Sequence, residues 1–267
     1  MSITEAEIRE LRAVAATAAR RGGEVLRERF HRQRTVTLKG QIDLVTDADR
    51  ASEDAVLTFL RGAYPTHHLI AEESAAPETL GSGPRWYVDP LDGTTNYAHG
   101  VPHFCVSVAV WDEGVPLAGA VYHPLLDDLY SAGRGQGATI NEEPLRVSTR
   151  APLGQALVGT GFPYDIWDKP DLPLRLFTAA LGQARGLRRL GAAALDLAYV
   201  AQGRFEAYYE LGLFAWDVAA GILLVQEAGG LVSDFHGQAA KPDGRQILAG
   251  NPAVHGELLA LLDPLTP

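Results

Sequence analysis

Trp86-Tyr87-Val88-Asp89-Pro90-Leu91-Asp92-Gly93-Thr94-Thr95-Asn96 is the stretch on which the reading of this chain turns. Its first three residues predict a buried strand, with the acids emerging where that strand ends. The next eight place two carboxylates, a carbonyl, two hydroxyls and a run of amides in a few residues. Carboxylate and carbonyl oxygens are the ligands that Mg²⁺ prefers, usually shared with substrate phosphate. Pro90 stiffens the bend, and Asp92 faces the same cavity as Asp89 if the turn rolls into a helix. The amides of Gly93, Thr94 and Thr95, opening such a helix, would point positive charge at an anion. Metal ligands beside a phosphate cradle predict metal-dependent phosphate chemistry.

The rest of the chain sets bounds on that reading. With 267 residues, 46 % hydrophobic and 21 % charged, it matches an ordinary soluble globular protein of one large domain or two closely joined lobes. No apolar run approaches the roughly 20 residues that span a bilayer, and residues 1–5 lack the basic-then-apolar layout of a secretory signal. A lone cysteine, Cys105, excludes an intrachain disulfide and suits a reducing compartment, so a cytoplasmic protein is expected. The net charge of -10 argues against sequence-independent binding to nucleic acid or an anionic membrane. It argues less against a phosphorylated substrate, because bound divalent cations become the largest local charges.

Helical spacing of Ile8, Leu11, Val14, Ala15, Ala18, Val25, Leu26 and Phe30, behind a Thr4-x-x-Glu7 capping box, predicts a long first helix. A strand at 35–38, a helix at 46–60 and a short strand at 68–71 follow. The runs 104–111 and 117–122 read as a hairpin through Asp112-Glu113-Gly114, continued by 128–132. Beyond about residue 145 strands alternate with helices: strands at 156–159, 187–190, 205–209, 231–234 and 247–249, helices at 172–184, 193–201, 216–228 and 253–262. The pattern predicts lobes of about 1–145 and 146–267 in one catalytic domain, with sheets layered between helices.

Acids outside the opening motif are ordinary caps and strand ends when taken singly. Together, Asp43-Leu44-Val45-Thr46-Asp47-Ala48-Asp49, Glu72-Glu73-Ser74, the 89–96 motif, Trp216-Asp217 and Glu227-Ala228-Gly229-Gly230 stand in the order of a known family. The chain resembles the inositol monophosphatase family of magnesium-dependent, lithium-sensitive sugar phosphatases, and Gly161-Phe162-Pro163-Tyr164 resembles its bacterial members.

The resemblance implies an α/β (α+β) fold, a layered αβαβα sandwich, usually a homodimer. It implies Mg²⁺ as cofactor and a small phosphorylated polyol or sugar as substrate, myo-inositol monophosphate foremost. By the same resemblance Glu72, Asp89 and the carbonyl of Leu91 hold a first metal, and Asp89, Asp92 and Asp217 hold a second. Thr94 and Asp49 match the pair that orients the attacking water, and Glu72 helps deprotonate it. The amides of Gly93 and Thr94 match the phosphate cradle, while Ala193 and Glu210 line the alcohol pocket. Thr95 favours the inositol type over nucleotide 3′,5′-bisphosphate and histidinol-phosphate relatives; fructose 1,6-bisphosphate stays open. Phe214 departs from the polar residue of animal members, and Lys39 stands one residue closer to Asp43 than in the animal pattern. A non-catalytic regulatory role is the contrasting reading, since some bacterial relatives are associated with the transcription machinery.

Other conspicuous residues read as structural. Cys105 is a small hydrophobe in an apolar run; His99, His103 and His67-His68 have no part in the chemistry above. Gly133-Arg134-Gly135-Gln136-Gly137 lacks the Lys-Ser/Thr ending of a phosphate loop and reads as a turn. Arg188-Arg189 faces an anionic substrate, solvent or an interface. Glu73 is a supporting or surface acid.

Overall fold

A computed structural model describes residues 3–31, 36–38, 44–74, 81–242 and 245–267. Thr35, Lys39 and Asp43 lie outside them, as do the expectations that rest on those residues. Helix α1 (Glu5–Arg29) opens on the expected capping box, with the Glu7 amide donating to Thr4 Oγ1 and the Thr4 amide to Glu7 Oε2. β1 (Val36–Leu38) and β2 (Leu44–Thr46) form an antiparallel pair. α2 (Asp47–Ala63) starts at a second capping box, Thr46 with Asp49.

The first sheet has seven strands in chain order: β3 (His68–Ala71), β4 (Arg85–Asp92), β5 (Cys105–Asp112), β6 (Val115–His123), β7 (Asp128–Gly133), β8 (Ala138–Ile140) and β9 (Glu143–Pro144). β3 and β4 run parallel; the rest is an antiparallel meander. Glu113 and Gly114 both take left-handed φ, +47° and +78°, the two-residue turn whose twist suits the hairpin between β5 and β6. The short helix α3 (Thr94–Ala98) follows β4.

The second sheet holds β10 (Leu157–Thr160), β11 (Gly186–Arg188), β12 (Ala207–Leu211), β13 (Leu231–Ser233) and β14 (Gln246–Gly250), ordered β11-β10-β12-β14-β13. Helices α4 (Asp171–Leu181), α5 (Ala193–Ala201), α6 (Ala215–Glu227) and α7 (Pro252–Leu262) complete the chain. α1 and α2 cover the outer face of the first sheet, α5 and α6 lie between the sheets, and α4 and α7 pack against the second. That is the αβαβα sandwich. Its middle layer explains why α5 and α6 are apolar nearly all round: a helix between two sheets has no solvated face.

Close approach within that layer depends on a missing side chain. A Cβ at Gly221 of α6 would lie 2.4 Å from Leu197 Cδ1 and 2.6 Å from Leu197 Cβ of α5. Gly221→Ala should therefore lower stability by about 1–3 kcal/mol through overpacking, outweighing the ~1 kcal/mol that alanine normally gains in a helix. Thermal unfolding checks it, at roughly 2–4 °C per kcal/mol for a chain of this size. An unchanged or raised Tm would mean that the two helices separate freely.

Candidate active site

The 89–96 motif does not form a single turn. β4 runs on through Asp92, and its ladder with β5 pairs Asp89 with Ser107 but Asp92 with Cys105. Three steps on β4 thus oppose two on β5, which is a bulge. The bulge corrects the expected helical roll with a simpler cause. In a regular strand residues i and i+3 point to opposite faces; one extra residue returns Asp89 and Asp92 to the same cleft, which both line. Gly93 follows with φ +93°, and a Cβ there would press on the carbonyl oxygens of His103 at 3.1 Å and Gly191 at 3.3 Å. Glycine thus suits both the conformation and the crowding.

Each acid has a definite support. Asp92 takes hydrogen bonds from the amides of Ala193 (3.1 Å) and Ala194 (2.7 Å) and lies 3.5 Å from Cys105 Sγ. It thereby caps α5, whose own cap residue, Ala192, has no side-chain acceptor. Asp89 Oδ1 accepts from the Leu91 amide at 3.0 Å. Asp217, in the first turn of α6, accepts from the Phe214 amide at 2.7 Å. Glu72 follows β3, its amide bonded to the Val88 carbonyl of β4 at 3.2 Å. Thr94 Oγ1 lies 2.9 Å from Asp49 Oδ1 and 3.0 Å from the Leu91 carbonyl.

These residues surround one cleft of about 280 Å³. Glu72, Asp89, Asp92 and Asp217 line it, together with Leu91, Gly93, Thr94, Ala193 and Glu210. Asp49 is fully buried and does not line the cleft; it reaches it through Thr94. Thr95 lines the mouth and is exposed. Phe214, 38 % exposed, stacks on Trp216 at 5.1 Å between ring centres, and Arg245 lies over its ring. Of the two arginines weighed from the sequence, Arg189 lines the cleft and Arg188 does not.

Burial and mutual repulsion dominate the electrostatics. Burial, then the charges of Glu72, Asp92 and Asp217, raise the Asp89 carboxyl well above the usual range. Burial, then Asp92, Glu72 and Glu210, do the same at Asp217, against the Phe214 amide. Burial raises Asp92, opposed by the α5 amides. Burial also pushes Glu210 up to about 8, although Tyr208 donates to its carboxylate and Arg189 offsets its charge.

Among the described residues no three His, Cys, Asp or Glu side chains already form a cage that could hold a metal ion. The donor set nevertheless fits a hard divalent cation. It is all oxygen, and no Lys or Arg among the described residues forms a salt bridge with Asp89, Asp92 or Asp217. Buried acids without cationic partners stay protonated or take up a cation.

Cys105, His99, His103, His67 and His68 do not line the cleft. Cys105 is fully buried and its thiol is held protonated by burial. The His103 carbonyl accepts from Asn96, which also bonds the Leu190 carbonyl, tying α3 to the segment before α5. Gly135 and Gly137 cradle an anion after all, but from the chain itself: their amides donate to the Glu227 carboxylate at 2.8 and 2.7 Å. The sequence reading missed Ser52 and Glu53 of α2. Both look like ordinary helix-surface residues, yet Ser52 is fully buried and Glu53 is 4 % exposed.

Comparison with known proteins agrees with this architecture. The family model described as the inositol monophosphatase family matches residues 7–265. A Pseudomonas aeruginosa protein named Nus factor SuhB is 46 % identical over 260 residues, covering 95 % of this chain and 96 % of that one. An inositol-1-monophosphatase of Mesorhizobium japonicum is 43 % identical over 256 residues, covering 95 % and 96 %. Among solved structures, inositol monophosphatase from Anabaena superposes with a TM-score of 0.88 at 39 % identity, covering 97 % of each chain. Phosphatases, generally metal-dependent, characterise the group that these matches identify. With nearly its whole length matched, the chain belongs to the inositol monophosphatase family.

Proposed function

We propose that this chain is a Mg²⁺-dependent phosphatase of a small polyol or sugar phosphate, myo-inositol monophosphate foremost. The observation that carries the reading is the single cleft that four carboxylates line beside the Thr94–Asp49 pair. Glu72, Asp89, the Leu91 carbonyl, Asp92 and Asp217 would hold the metal ions. When bound, Mg²⁺ supplies Lewis acidity to the phosphoryl oxygens and to an attacking water.

The chain's own groups do the rest. Asp49 accepts the Thr94 hydroxyl proton, which leaves a Thr94 lone pair to accept from the water and aim it. Glu72, as general base, takes the one proton that the water gives up on attack, the Thr94 hydroxyl keeping its own in its hydrogen bond to Asp49. The amides of Gly93 and Thr94 donate to phosphate, with Gly93 providing the close backbone approach. Glu210 and Ala193 receive the alcohol, and Arg189 places one fixed positive charge on the same wall. Thr95 at the mouth favours the inositol type. A cytoplasmic homodimer is the working form that this reading implies.

Phosphate release from inositol 1-phosphate, fructose 1,6-bisphosphate, a nucleotide 3′,5′-bisphosphate and histidinol phosphate tests it. Inositol 1-phosphate should turn over fastest, EDTA should abolish the activity, and lithium should inhibit it. Preference for the hexose or nucleotide bisphosphate would overturn the substrate; release unaffected by EDTA would overturn the mechanism. A second reading rests on the name of the Pseudomonas aeruginosa relative, a Nus factor. It is a role in transcription that needs no turnover, and it gains if no sugar phosphate releases phosphate with Mg²⁺.

A further inference from the structure

Helix α2 presents one face to every segment that carries a site residue of the first sheet. Asp49, Ser52 and Glu53 stand at i, i+3 and i+4, the spacing that puts side chains on one helix face. Asp49 takes the Thr94 hydroxyl at 2.9 Å. Ser52 Oγ donates to the Pro90 carbonyl at 2.7 Å, inside the bulge that turns Asp89 and Asp92 to the same side. Glu53 Oε2 accepts from the Glu73 amide at 2.9 Å, and Glu53 Oε1 accepts from the Ser74 hydroxyl. So three neighbouring side chains of one rigid element hold the catalytic hydroxyl, the acid-bearing bulge and the Glu72–Ser74 turn.

We propose that Ser52 and Glu53 are positioning residues of the metal site, Glu53 by setting the turn that aims Glu72 and Ser52 by fixing the bulge between Asp89 and Asp92. The inference rests on the metal assignment above and deepens it. Glu72 needs such a support: it stands just past the end of the four-residue strand β3. A buried carboxylate is the right clamp, because it accepts from an amide and a hydroxyl at once and donates to neither. Its own burial is compensated by those two bonds. For Ser52 the acceptor is a bulge carbonyl that the β4–β5 ladder leaves out of register.

The test measures metal binding directly, by calorimetric titration of the metal-free protein with Mg²⁺ and with Mn²⁺, alongside phosphate release. Glu53→Ala should raise the metal concentration for half-saturation about 10-fold or more, the usual scale for removing a partner of a ligand-bearing group. KM for substrate at saturating metal should change little. Glu53→Gln should restore most of the affinity, because its amide oxygen can accept from the Glu73 amide while its NH₂ donates to the Ser74 hydroxyl. Ser52→Ala should shift metal affinity in the same direction by a smaller factor, about 3-fold. If Glu53→Ala fails to fold, Ser74→Ala removes one clamp bond from the exposed end and should shift affinity about 3-fold.

Variants that bind metal as tightly as wild type overturn the proposal. So does a loss shared equally by Glu53→Gln and Glu53→Ala, which would show that charge and not the clamp matters. Wild-type protein that binds neither Mg²⁺ nor Mn²⁺ removes the proposed function and this inference together, an outcome distinct from those two.

Discussion

Asp92→Asn is expected to lower kcat/KM by about 1,000-fold or more, roughly 4 kcal/mol of transition-state stabilisation. Two losses combine. The first is a negative charge at the centre of the acid cleft, where a cation would be held against phosphate. The second is geometric. Both oxygens of Asp92 accept, from the amides of Ala193 and Ala194, and the Cys105 thiol is a third donor beside them. An asparagine has one oxygen, and its NH₂ would face a backbone N–H, donor against donor. The start of α5 would then lose an acceptor, and Ala193 of that helix lines the cleft. Global stability should change far less, because removing a buried acid held above its ordinary pKa offsets part of the lost hydrogen bonding. Steady-state kinetics with a thermal melt separates the two effects. Turnover within tenfold of wild type at saturating Mg²⁺ would sink the assignment of Asp92 to the metal site.

The asymmetry at Asp92 also shows what the sequence could and could not disclose. Residue types and order bring Glu72, Asp89, Asp92, Thr94 and Asp217 into one reading, and the fold sets them around one cleft. How they get there was not legible. A bulge has no signature of its own, so the pair 89 and 92 looked like a turn rolling into a helix. The cap of α5 comes from β4, about a hundred residues away, and nothing near Ala192 marks it. α1 was legible because its cap, Thr4 with Glu7, lies within four residues. The run 193–201 was legible because it is apolar without interruption except for Asp196. β8 and β9, of three and two residues, are too short to show any period. Ser52 and Glu53 were missed for another reason. A serine and a glutamate on an amphipathic helix read as its solvated face, and the tertiary packing of α1 and β4 against α2 buries them.

The acid cleft also makes stability depend on pH, with a sign opposite to that of most surface carboxylates. Acids such as Asp127 and Asp165, lowered by their partners, have given their full stabilisation once the pH is above about 5. Asp89, Asp92, Asp217 and Glu210 are raised. A raised acid keeps its proton in the folded chain and releases it on unfolding, so its contribution is complete below the unfolded pKa and disappears as pH rises through the folded one. For Glu210 that window runs from 4.5 to about 8. In EDTA, wild-type protein should therefore lose stability between pH 7 and pH 8.5. That range lies above the one in which the buried histidines His103, His123 and His255, all lowered, change their charge. Glu210→Gln isolates one group: its metal-free melting curve should be flatter with pH, and at pH 8.5 it should exceed wild type by a difference on the order of 3 kcal/mol. Mg²⁺ acts on the ligand acids in the opposite sense. It binds their ionised forms, so the gap in Tm between Mg²⁺ and EDTA should widen as pH rises, and binding should release protons detectable by calorimetry in buffers of different ionisation enthalpy. A gap that narrows with pH, or binding without proton release at pH 7, would show that these carboxyls are already ionised in the metal-free cleft and that their burial is compensated by something other than a cation.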